Sequence, residues 1–63
     1  MKVAEVIRLL EDEGWALSRT RGSHRQFRHA VRPGKVTVAG KPSETLYPKT
    51  LSSILRQAGI RSP

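Results

Sequence analysis

Sixty-three residues without a cysteine make one small domain, near the lower size limit for folding by packing alone, with neither disulfides nor a thiolate zinc site to assist. No apolar run approaches the ~18 residues of a membrane span and no signal segment is discernible, so no membrane partner and a cytoplasmic location are expected. Twelve Lys and Arg against five acids give a net charge of +7, which favours polyanions over small acidic metabolites as partners. The charge is segregated: residues 1–13 carry −2 and residues 14–63 carry +9, with Glu44 the only acid in the second group.

Val3, Val6, Ile7 and Leu10 recur at the spacing of one helical stripe, and Gly14 follows where a C-terminal cap belongs, which predicts a helix from Lys2 to Glu13. Its last turn, Glu11-Asp12-Glu13, opposes the helix dipole, so it serves either solvation alone or a face that turns RNA toward the rest of the molecule. Trp15 and Leu17 share one parity of a strand running from Trp15 to Arg21. Gly22-Ser23 supplies a turn, and a second strand, from His24 to Val31, is centred on Phe27. Arg32-Pro33-Gly34 marks the next turn, and Val36 and Val38 alternate in a third strand. After a loop at Gly40-Lys41-Pro42-Ser43-Glu44, Leu51, Ile54, Leu55 and Ala58 form a second helical stripe, with Pro48 in its first turn and Gly59 as its cap.

Short connections make the three strands an antiparallel meander, and two helices with one apolar stripe each cover one face of it most economically. The expected class is α+β, a single domain over residues 1–63 with the αβββα layout of double-stranded-RNA-binding domains. The other face of the three-stranded sheet is left open.

If Phe27 points into the core, alternation sends His24, Gln26 and Arg28 to the open face, and Arg25 and His29 to the covered side. His29 is thereby expected to hydrogen-bond structurally. Arg19, Arg21, Arg25 and Arg28 surround His24 in the sequence and can hold phosphates by charge-assisted hydrogen bonds. An imidazole is the side chain suited to exchanging a proton near neutral pH, and metal-free RNA cleavage needs a proton taken from a 2′-hydroxyl and one given to a leaving 5′-oxygen. On the residues alone, His24 either performs one of these transfers or merely bonds the turn or stacks on a base. With no cysteine, no cluster of acids on the open face and histidines of opposite parity, neither a metal nor a small-molecule cofactor is expected.

Four segments in order, VIRLLEDEGW, RGSHRQFRH, KVTVAGKPSETL and TLSSILRQAGI, resemble the HicA (YcfA-like) toxins over nearly the whole chain. The resemblance implies a double-stranded-RNA-binding-like fold, ribonuclease action on messenger RNA, and neutralisation by a HicB-like antitoxin. It carries the family's catalytic histidine onto His24, with Gly22 and Ser23 as the turn presenting it and Phe27 as the aromatic core residue. Ser23 and Lys41 join the arginines as expected RNA contacts. Where many relatives have a second histidine in a VPxH-like segment, this chain reads Val38-Ala39-Gly40-Lys41, which leaves the second proton-transfer group open between Lys41, Tyr47, water and the RNA itself. Only Lys49 stands near the start of the last helix, where duplex-RNA binders are lysine-rich, so a single-stranded message is the expected substrate. A non-catalytic RNA-binding module is the alternative.

Overall fold

The computed structural model describes residues 1–60. Its elements follow the order α1 (Val3–Asp12), β1 (Trp15–Arg21), β2 (His24–His29), β3 (Lys35–Ala39) and α2 (Pro48–Ala58). The strands form one antiparallel sheet in the order β1-β2-β3, so β2 is central and β1 and β3 are edges.

The apolar stripes of the two helices meet the sheet on the same side. Val3, Val6 and Leu10 of α1, Trp15, Phe27, Val36 and Val38 of the strands, and Ile54 and Ala58 of α2 make one buried cluster. No polar or charged residue is buried with them among the described residues. The Trp15 indole N–H donates to the Ala58 carbonyl at 3.3 Å, which satisfies the one polar atom that this large side chain carries into the core and ties β1 to the end of α2.

Each helix end is closed by backbone or by a near neighbour. Lys2 N–H donates to Glu5 Oε1 at 2.8 Å, the reciprocal half of a capping box, since a lysine ammonium cannot accept the other half. Val3 N–H and Ala4 N–H donate to the carbonyls of Glu44 and Pro42, so the loop after β3 wraps the start of α1 and is held there. At the end of α2, Gly59 adopts φ +72° while Ile60 N–H reaches the Leu55 carbonyl and Gly59 N–H reaches that of Arg56, the two bonds of a Schellman cap.

Two features depart from the expected pattern. The second strand stops at His29 rather than Val31, because Val31 N–H and Arg32 N–H both donate to His29 Nδ1, at 3.0 and 3.1 Å, and turn the chain around the imidazole. Val31 is accordingly 86% exposed. In β1 the register slips: Leu17 pairs with Phe27 but Arg19 pairs with Gln26, which makes Ser18 the extra residue of a β-bulge.

Candidate functional site

The bulge decides which residues share a face with His24. Strict alternation from Trp15 and Leu17 would send Arg19 and Arg21 to the covered side. With Ser18 unpaired the parity inverts, so that Arg19 lies opposite Gln26 and Arg21 opposite His24, both on the open face. On the other flank of β2, His24 faces Ala39, Gln26 faces Thr37 and Arg28 faces Lys35. The paired open-face positions therefore hold Arg19, Arg21, Arg28 and Lys35 around His24 and Gln26, with no carboxylate among them.

His24 is exposed and begins β2 immediately after a two-residue turn. Gly22 has φ +60° and no other residue type in the described chain has a positive φ, which is the arrangement of a II′ turn with glycine at its first central position. The turn is also braced from β3, since Gly40 N–H donates to the Ser23 carbonyl at 3.2 Å. Ser23 thus contributes its backbone to the hairpin end, while its side chain lies in an exposed residue.

Arg25 stands apart from the other arginines. It lies on the Phe27 side, is half-buried, and its Nη1 donates to the Gly40 carbonyl at 2.8 Å. That bond fixes the exit of β3 beside the Gly22-Ser23 turn, so Arg25 positions the site rather than facing outward with His24. Lys41 is exposed in the loop that follows, two residues beyond Ala39, and its carbonyl accepts Glu44 N–H. Tyr47 is 78% exposed at the start of α2. Lys35 was not singled out by the sequence reading, although its alternation with Val36 and Val38 assigns it to the open face.

His29 has the structural role expected of it. Nδ1 accepts the backbone N–H groups of Val31 and Arg32, which leaves Nε2–H as the donor to the Glu13 carbonyl at 2.9 Å. The ring meets Trp15 edge-on, with centroids 5.2 Å apart. Gly14 makes room for it, since a Cβ there would stand 2.7 Å from His29 Nε2.

The sequence matches a family model described as the HicA toxin of bacterial toxin-antitoxin systems, over residues 3–60. This chain belongs to the HicA toxin family. A comparison with curated proteins gives no match. As a HicA-family toxin it acts as the toxin of a toxin-antitoxin pair, with an antitoxin as its partner. No helix among the described residues is long and apolar enough to cross a membrane.

Proposed function

We propose that this HicA-family toxin is an endoribonuclease that cleaves single-stranded messenger RNA without a metal cofactor, with His24 as its proton-transfer residue. The observation that carries the reading is the pairing of exposed His24 with Arg21 on a face that also bears Arg19, Arg28 and Lys35 and no paired carboxylate. Phosphodiesters are attracted to such a face, and the imidazole is the group on it suited to moving a proton.

The reaction that fits is attack of a ribose 2′-hydroxyl oxygen on the adjacent phosphorus. The new P–O2′ bond forms as the P–O5′ bond breaks, leaving a 2′,3′-cyclic phosphate and a free 5′-hydroxyl. His24 takes the 2′-hydroxyl proton or supplies the one gained by the 5′-oxygen, and the cations of the face stabilise charge on the phosphorane. The second proton passes to or from water, Lys41, Tyr47 or an RNA group. The antitoxin is read as a HicB-like protein whose acidic surface covers His24 and the basic face.

The test is incubation of wild-type protein and His24→Ala with a long unstructured RNA, with and without chelator, followed by mapping of the ends. Expected are cyclic-phosphate ends with wild-type protein, unaffected by chelator, and a loss of about 10²–10⁴-fold in rate for His24→Ala. Equal cleavage by both proteins would remove His24 from the chemistry, and loss on chelation would reject the metal-free route. Binding without cleavage by either protein would leave an RNA-binding module.

A further inference from the structure

The described chain has three aromatic side chains outside histidine, and none occupies an open-face position of the strands. Trp15 and Phe27 are in the core, and Tyr47 precedes α2. Among the strand positions of the open face, His24 is thus the one aromatic ring on which an unpaired base can stack. The arginines there meet phosphates, which every nucleotide shares and which carry no sequence information. Neutral hydrogen-bonding groups, which can both donate to and accept from a base edge, add to what the arginines can read.

Such groups are concentrated in one place. An open groove of about 410 Å³ runs between β3 and α2, within the ~300–1,000 Å³ typical of small-ligand sites. The strand contributes Thr37 and Ala39, and the helix contributes Lys49, Thr50, Ser53 and Gln57 over the apolar side chain of Ile54. Three hydroxyls, one amide and one ammonium thus line a floor of Ile54 and Ala39, and no carboxylate is present. Gln57 Nε2 is already turned toward Ser53 Oγ, at 3.4 Å, a long contact that an incoming polar edge can replace.

The groove lies one strand away from the catalytic candidate. Ala39 is the direct cross-strand partner of His24, and Thr37 is that of Gln26, so an RNA strand crossing the open face reaches the groove over the β3 edge. Building on the ribonuclease reading, we propose that this β3–α2 groove is the base-recognition subsite, holding the nucleotide next to the scissile phosphate. The base lies on Ile54 and Ala39, its edge is read by Ser53, Gln57 and Thr37, and Lys49 meets the neighbouring phosphate. Cleavage-site preference is then set by the groove, whereas the arginine face sets affinity.

The experiment compares wild-type protein, Gln57→Ala, Ser53→Ala and Arg21→Ala on a randomised RNA pool, with the cut sites sequenced. All three substituted residues are exposed and outside the core, and thermal melting checks that each variant folds. The groove variants are expected to flatten the base preference at one position flanking the cut, from at least about fivefold, the value of a good base-edge contact, to near parity. Arg21→Ala is expected to slow cleavage at all sites alike. An unchanged preference profile in both groove variants would overturn the proposal.

A second arm uses His24→Ala as the background and measures binding of homopolymeric rA, rC, rG and rU oligonucleotides by fluorescence anisotropy. It separates the two ideas, because base-selective binding abolished by Gln57→Ala supports the groove even if wild-type protein fails to cut RNA. Binding that is indifferent to base identity, together with weakened antitoxin binding by the groove variants, would assign the groove to the protein partner and overturn the proposal.

Discussion

His29 holds three backbone groups at once: the Glu13 carbonyl through Nε2–H, and the N–H groups of Val31 and Arg32 through Nδ1. It thereby joins the end of α1 to the end of β2 and creates the turn that follows, while its ring packs on Trp15. Each such bond is worth about 0.5–1.5 kcal/mol net, so His29→Ala should cost about 2–4 kcal/mol. At roughly 4–8 °C per kcal/mol for a domain of this size, the melting temperature should fall by at least about 8 °C. A loss below about 3 °C would mean that water replaces the imidazole at little cost. His24→Ala, at an exposed position with no side-chain bond in the described chain, should change stability by no more than about 0.5 kcal/mol. The two histidines are thus separable by calorimetry: His29→Ala should lower stability, whereas His24→Ala should leave it nearly unchanged and, on the proposed mechanism, remove cleavage. Gly14→Ala belongs with His29, since φ +94° and a Cβ 2.7 Å from Nε2 both oppose it. It should lower stability by about 1–3 kcal/mol, measured by urea denaturation.

At the scale of the elements, the bulge in β1 brings Arg19 and Arg21 onto the face of His24, and its register makes a specific claim about Ser18. Because Leu17 already pairs with Phe27 and Arg19 with Gln26, deleting Ser18 should leave both pairings intact and merely straighten the strand. The deletion variant is expected to fold with stability within about 1 kcal/mol of the parent, and in a His24→Ala background to bind RNA within about twofold. Loss of the hairpin signals in an NMR spectrum, or a large fall in affinity, would show that another residue carries the irregularity. This element also marks where the sequence stops being legible. The helices could be read because Val3, Val6 and Leu10, and Ile54, Leu55 and Ala58, must face a common core, and the sheet because Trp15, Phe27, Val36 and Val38 must meet them. After Leu17 the first strand is wholly polar, so nothing in its pattern records the inversion at Ser18. Leu17 itself pairs on the covered side yet is 54% exposed, since β1 is an edge strand. The early stop of β2 is equally hidden, because a side-chain acceptor four residues before the Pro33-Gly34 pair, rather than the pair itself, bends the chain. Assigning Arg25 to the covered side needed only alternation, but its bond to Gly40 needed the folded loop.

Over the whole molecule, the helices and the acidic end of α1 lie to one side of the sheet and Arg19, Arg21, Arg28 and Lys35 to the other, so the open face is the one whose strand positions attract a polyanion. If Arg19, Arg21, Arg28 and Lys35 each engage one phosphate of a single strand, binding should release counterions in proportion. The logarithm of the binding constant should then fall with the logarithm of salt concentration with a slope of about −3, at roughly −0.7 per phosphate contact. The measurement is made with His24→Ala so that the RNA survives. Arg21→Ala or Lys35→Ala should each reduce the magnitude of the slope by about 0.7, while Arg25→Ala should leave the slope unchanged and instead lower the melting temperature. That contrast follows from geometry alone, because the Arg25 guanidinium is already committed to the Gly40 carbonyl on the covered side. Equal slope changes for Arg25→Ala and Arg21→Ala would mean that RNA wraps around the hairpin end rather than crossing the open face. An antitoxin that covers this face, as proposed, competes with RNA for it, and its affinity should then weaken with salt along with that of RNA.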